Sequence, residues 1–170
     1  MTALPVAQKR LAAGDWTGTP AGVCALSYED RFFRRRKLTV QDGWALVADF
    51  EQTTSLDHGD ALELTDGRLV EIRAAPEALL AVTGPNLTRL AWHIGNRHTP
   101  CQIDAGRLLI RDDPVIGHML EHLGARLEKV TEPFTPEGGA YGHGRTHSHE
   151  HGATAHSHGS SHGHSHDHAH

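Results

Sequence analysis

LLAVTGPNLTRLAWHIGNRHTPCQIDAGRLLIRDDPVIGHMLEHLGARLEKV, residues 79–130, reads as strand, helix, strand, strand, helix, strand. Leu79 to Val82 is a short apolar strand. Gly84-Pro85-Asn86 then opens a helix with Asn86 as its N-cap, since an amide oxygen there accepts a backbone N–H the first turn leaves unpaired. Leu87, Leu90, Ala91 and Ile94 fall at i, i+3, i+4 and i+7, which puts them on one apolar face; Gly95 weakens the helix near its end. Cys101 to Ile103 and Arg107 to Ile110 flank Asp104-Ala105-Gly106, a hairpin. Asp113 caps a second helix with Pro114 at its first position, the favoured arrangement. Val115, Ile116, Met119, Leu120 and Leu123 make its buried stripe, Gly124 suits the position just past its end, and Arg126 to Val130 is the last strand. This order predicts a ferredoxin-like βαββαβ domain over residues 76–141, an antiparallel sheet with both helices on one face.

Toward the N-terminus, residues 1–75 carry short β-rich segments: Val23 to Tyr28, Lys37 to Val40, Trp44 to Phe50, Ala61 to Leu64 and Arg68 to Ile72. Asp42-Gly43 and Asp66-Gly67 mark hairpins, because glycine takes a positive φ without strain. A small antiparallel β domain is expected, making the whole chain α+β.

Toward the C-terminus the composition changes. From Gly142 to His170 there is no Leu, Ile, Val, Phe, Met, Trp or Tyr, and 11 of the 16 histidines lie there. Such a segment has nothing with which to form a core, and a disordered tail is expected in the absence of a ligand. His143, His147, His149, His151, His156, His158, His162, His164, His166, His168 and His170 recur mostly at every second position among small spacers. In an extended chain alternate residues point the same way, and a neutral imidazole suits Ni2+, Cu2+ or Zn2+. The irregular spacing differs from the uninterrupted runs of purification tags. Composition thus predicts several labile metal sites and leaves the metal open.

The 170 residues carry a net charge of −5, no footprint for nucleic acid, which calls for a basic domain. No apolar run approaches the roughly 18–20 residues that span a bilayer, and the N-terminus lacks the charged-then-apolar order of a signal peptide. A soluble, cytoplasmic protein is expected. Cys24 and Cys101 form no CxxC pair, which argues against a thiolate zinc or redox motif. GxxxxGK[ST], GxSxG, HExxH and GxGxxG are all missing, so neither GTP hydrolysis nor other catalysis is indicated.

His98 falls at the end of the first helix, where it is either a surface histidine favoured by the helix dipole or a metal ligand. One histidine makes no metal site, but a symmetric dimer would supply two across its axis. His93, between Trp92 and Ile94, reads as packing or as a group supporting a ligand. Cys101, three residues beyond His98, reads as a small buried thiol or a thiolate ligand. His118 and His122, at i and i+4 on the second helix, have chelating spacing but no acidic partner, and a solvated face is expected. The run Arg31, Arg34, Arg35, Arg36, Lys37 reads as a charged strand edge that blocks sheet-to-sheet pairing or as a docking surface for an acidic partner.

His93-Ile94-Gly95-Asn96-Arg97-His98-Thr99-Pro100-Cys101-Gln102-Ile103 resembles the HLGNRH-x-P-x-Q-I motif of the UreE urease accessory family of nickel metallochaperones. Arg73-Ala74-Ala75-Pro76-Glu77 resembles the join between that family's domains, and residues 133–141, PFTPEGGAY, resemble the motif before its His-rich tail. The resemblance runs from about Ala25 onward. It implies an N-terminal β domain likened to chaperone peptide-binding domains, then a ferredoxin-like domain through which the protein forms a homodimer. It implies that His98 is the nickel ligand, facing its symmetry mate, with tail histidines completing the coordination. It also implies transfer of Ni2+ to the accessory GTPase UreG and on to the apo-urease complex. Arg111-Asp112-Asp113-Pro114 stands where some members carry extra histidines, and Cys101 where an apolar residue is expected. A general divalent-metal buffer acting through the tail is the alternative.

Overall fold

The computed structural model describes residues 3–140 and Arg145. It is mixed α+β and holds two sheets. The first contains β1 (Val6–Leu11), β2 (Gly22–Leu26), β3 (Phe32–Thr39), β4 (Ala45–Ser55), β5 (Ala61–Leu64) and β6 (Leu69–Ala74), in the order β2-β6-β5-β1-β4-β3. A 3-10 turn, Glu29–Arg31, links β2 to β3.

The antiparallel reading of this half needs correcting. β1 runs parallel to β4, and β2 parallel to β6. The two Asp-Gly turns do join antiparallel neighbours, β3 to β4 and β5 to β6, with Gly43 and Gly67 at φ 96° and 88°. Local turn chemistry dictates those pairings; the parallel ones join strands distant in the chain, and no short motif marks them. β1 itself lies outside the segments read as strands, since only Ala7 of its six residues is buried and Gln8 and Lys9 face solvent. The buried face collects Cys24, Leu38, Leu46, Phe50, Leu62, Leu64, Val70 and Ile72 into one core, with Phe33 stacked 5.7 Å from Phe50.

The second sheet is formed by β7 (Pro76–Thr83), β8 (Gln102–Asp104), β9 (Arg107–Arg111) and β10 (Arg126–Pro133), all antiparallel, in the order β10-β7-β9-β8. Helices α1 (Leu87–Asn96) and α2 (Pro114–His122) alternate with the strands in the sequence βαββαβ. Alternation along β7 separates the two faces. Leu80 and Val82, with Leu108 and Ile110, pack under Leu90 and Ile94 of α1 and Ile116 and Leu120 of α2. Leu79 and Ala81, with Leu109, face the other way and are covered by Phe134 and Tyr28. Gly117 lets α2 lie close on this sheet: a Cβ there would stand 3.3 Å from the side chains of both Leu80 and Leu127, which would have to give way slightly.

The two halves meet around one buried cation. Arg31 is 3% exposed. Its guanidinium donates to the carbonyls of Leu26 at 2.9 Å and Leu56 at 3.2 Å in the first half, and of Phe134 at 2.7 Å beyond β10. Tyr28 stands edge-on to Phe134, 5.5 Å between ring centres, and its backbone N–H donates to Glu77 at 2.8 Å. Arg31 therefore separates from the basic run with which the sequence groups it. Arg34 to Lys37 do lie exposed on β3, an edge strand, with Arg36 3.0 Å from Asp30.

Candidate metal centre

The end of α1 decides how His98 is presented. The N–H of His98 donates to the Gly95 carbonyl at 2.9 Å, and that of Thr99 to the Ile94 carbonyl at 3.3 Å. This pair of bonds is the Schellman closure, whose residue just past the C-cap sits in the left-handed region. His98 occupies that position with φ 54°, alone among the described non-glycine residues in having a positive φ. A histidine there carries strain of about 1–2 kcal/mol, because its Cβ crowds the following carbonyl. Thr99 and Pro100 carry the chain off the helix, since proline lacks the donor that would continue it. The imidazole is thereby swung out at a helix terminus, exposed to solvent.

His98 lines a cavity of about 410 Å3 between the halves, with Tyr28, Phe32, Arg97, Arg111 and Arg145, and with Glu29 and Asp113 as its carboxylates. The wall is cationic near Tyr28. The guanidinium carbons of Arg145, Arg111 and Arg31 stand 3.8, 5.4 and 5.8 Å from that ring's centre. Burial, with Arg31 and Arg111 nearby, pulls the Arg145 pKa down.

Neither His93 nor Cys101 lines this cavity. His93 is half-buried and edge-on to Trp92, 5.0 Å between ring centres, in keeping with packing. Cys101 packs against the second core, and burial, followed by the charges of Glu137 and Asp104, pushes its thiol up to about 11. At neutral pH it is a protonated, half-buried S–H, 3.7 Å from the Gln102 carbonyl. Cys24 is wholly buried and likewise pushed up to about 11. His118 and His122 are exposed on α2. No group of three or more His, Cys, Asp or Glu residues among the described residues is arranged to hold a metal ion. The tail positions His143, His147, His149, His151, His156, His158, His162, His164, His166, His168 and His170 lie outside the described residues.

Sequence reasoning missed Arg145. Composition assigned it to a structureless tail, yet its Nε donates to Ser55 Oγ at 3.1 Å and its Nη2 to the Tyr28 carbonyl. Its guanidinium also lies 4.8 Å from the Phe32 ring centre. The physical reason is that an arginine docks on aromatic faces without needing apolar neighbours in its own segment. No local signal marks it, because Tyr28 and Phe32 are more than a hundred residues away in the chain. His58, whose Nδ1 accepts from the Ala74 N–H at 3.0 Å, was also passed over and has a structural role.

Among the described residues no helix is long and apolar enough to cross a membrane. Two family models match the chain: "UreE urease accessory protein, C-terminal domain" over residues 68–170 and its N-terminal counterpart over residues 5–75. Among curated proteins, the urease accessory protein UreE of Cereibacter sphaeroides is 60% identical over 146 residues, covering 86% of this chain and 80% of its own length. That of Ruegeria pomeroyi is 61% identical over 145 residues, covering 85% of this chain and 96% of its own length. That of Rhodobacter capsulatus is 53% identical over 146 residues, covering 86% and 92%. With both models matched in sequence order and such identity along most of its length, the chain belongs to the UreE urease accessory protein family.

Proposed function

We propose that this protein is a nickel metallochaperone, not an enzyme, that binds Ni2+ and delivers it during assembly of urease. The observation that carries the reading is His98: an exposed imidazole held in a strained left-handed backbone at a helix end, on the wall of a cavity. Backbone strain of this kind persists at sites where function repays it. One imidazole does not hold an ion, so further donors come from elsewhere. In this reading two copies of the chain form a homodimer through residues 76–141, and His98 of each grips one shared Ni2+. Histidines of the 142–170 tail, from His143 to His170, add nitrogen donors and capacity, and His93 and Cys101 are secondary. Residues 1–75 dock partners. The ion then passes to the accessory GTPase UreG and the apo-urease complex in the cytoplasm, with no role for nucleic acid or membrane. Few fixed ligands make the ion exchangeable; Zn2+ and Cu2+ compete for the same nitrogen donors.

Nickel titration of the full chain, a chain ending at Tyr141 and His98→Ala, with mass measured at each step, tests this. The tightest nickel event should vanish in His98→Ala, and truncation should lower the number of ions bound more than the tightest affinity. Ligation needs neutral imidazole, so affinity should fall as the pH drops below about 6.5. Full-strength binding by His98→Ala would sink the interface site. The 11 tail histidines support a second reading, a divalent-metal buffer. That reading gains if all binding leaves with the tail and if a deletion strain keeps normal urease activity at low nickel.

A further inference from the structure

Arg145 is three residues into the segment beyond Gly142, and its side chain is held from four directions. The Tyr28 ring, the Phe32 ring, Ser55 Oγ and the Tyr28 carbonyl all contact it. Phe32, at 37% exposure, is one of the few large apolar side chains left at the surface of the first half, and the guanidinium lies against it. Arg145 also lines the same cavity wall as His98. From this we infer that Arg145 is a positioning residue that clamps the root of the His-rich tail beside His98. The inference rests on the nickel reading of His98 and deepens it.

Covalent geometry supplies the consequence. Two residues of chain span at most about 7 Å, so in this reading a held Arg145 shortens the tether of any donor that follows it in the chain. Without the clamp the last tied backbone group before the tail among the described residues is the Glu137 N–H, which donates to the Cys101 carbonyl at 2.8 Å. The tether to His147 then lengthens from two residues to ten. Effective concentration falls roughly as the −3/2 power of tether length, so releasing the clamp dilutes the nearest tail donors at His98 about tenfold. The clamp is also reversible by construction. Arg31 and Arg111 repel Arg145 across the same ring, so the aromatic contacts and hydrogen bonds hold it against like charge. A tail that must surrender its ion is served by a root that can let go.

Two measurements on the full-length protein test this. Trypsin cleaves after an arginine only when the side chain can enter its specificity pocket. Cleavage between Arg145 and Thr146, read by mass as loss of residues 146–170, should be at least about tenfold slower in the wild type than in Phe32→Ala. The second measurement is nickel titration. Arg145→Ala and Phe32→Ala should each weaken the tightest site about tenfold while binding the same number of ions and keeping the wild-type melting temperature. Arg145→Lys, which keeps the charge but not the flat guanidinium, should fall between them and the wild type. Equal trypsin rates in wild type and Phe32→Ala would overturn the clamp and leave the nickel site standing. Slow cleavage with unchanged nickel affinity in Arg145→Ala would overturn its positioning role. A wild type that binds no nickel would overturn the site itself, and the clamp's purpose with it.

Discussion

Helices α1 and α2 close with the same pair of hydrogen bonds, and this gives His98 an internal control. At the end of α2 the Gly124 N–H donates to the Glu121 carbonyl and the Ala125 N–H to the Leu120 carbonyl, each at 3.0 Å. Gly124 fills the left-handed position at φ 89°, where α1 has His98 at φ 54°. One end uses the residue that backbone sterics prefer; the other uses a ligand type at a strain of about 1–2 kcal/mol. Replacing His98 with Gly should relieve that strain, less the roughly 0.5–1 kcal/mol of extra chain entropy glycine loses on folding. His98→Gly is therefore expected to be more stable than His98→Ala, which inherits the same Cβ clash, by about 0.5–1 kcal/mol, and to lose the tightest nickel event. His98→Ala should lose the nickel event as well. Urea unfolding midpoints of the two variants check the stability difference, and a His98→Gly protein less stable than wild type would mean that the imidazole itself holds the helix end. The sequence shows His98 at a helix terminus. Its positive φ was not legible, because the residue that usually advertises a left-handed turn is glycine, and here none stands there.

At the scale of elements, the end signals were more legible than the pairings. Asn86 and Asp113 stand where sequence reasoning set them. Asn86 accepts from the Arg89 N–H at 3.1 Å, and Asp113 Oδ1 accepts from the N–H groups of Val115 at 2.8 Å and Ile116 at 3.2 Å. Each satisfies donors that a first helical turn leaves orphaned. Asp113 also lines the cavity beside His98, so its carboxylate has two candidate uses, and substitution separates them. Asp113→Ala should cost about 1 kcal/mol through the lost cap, and Asp113→Asn should restore all but a few tenths, since asparagine caps as well as aspartate. If Asp113→Asn kept wild-type stability but shifted nickel affinity, the carboxylate would belong to the metal site as well as to α2. By contrast, β1 and the two parallel pairings escaped sequence reading. β1 buries one residue of six, so it shows no alternation. Its partners β4 and β5 lie some forty to sixty residues on, and neither pairing is set by a turn.

At the scale of the molecule, the question is what makes two sheets with separate cores behave as one body. The join is small and centred on Arg31, whose three carbonyl acceptors belong to both halves: Leu26 and Leu56 on one side, Phe134 on the other. Phe134 is fully buried against Leu79, Ala81 and Leu109 with Tyr28 over it, so the Arg31–Phe134 bond locks the segment after β10 onto the first half. The sequence placed Arg31 among surface charges because a run of basic residues carries no sign of which member turns inward. Arg31→Ala would leave the Leu56 and Phe134 carbonyls without their donor, at about 1–3 kcal/mol for each that stays dry, while the Leu26 carbonyl keeps the Ala75 N–H at 2.9 Å. Arg31 also lines a second cavity, of about 400 Å3, which opens beside Ser55 and His58. Water entering there can rehydrate some of the carbonyls, which brings the expected loss to about 3 kcal/mol. The more diagnostic effect is on cooperativity. Trp16 and Trp44 report the first half and Trp92 the second. In the wild type their fluorescence should follow one urea transition, coincident with circular dichroism. In Arg31→Ala the Trp92 signal of a variant lacking the other two tryptophans should separate from the signal of a variant lacking Trp92. Coincident transitions in Arg31→Ala would show that the Tyr28–Phe134 contact and the Glu77 hydrogen bond couple the halves without the buried guanidinium.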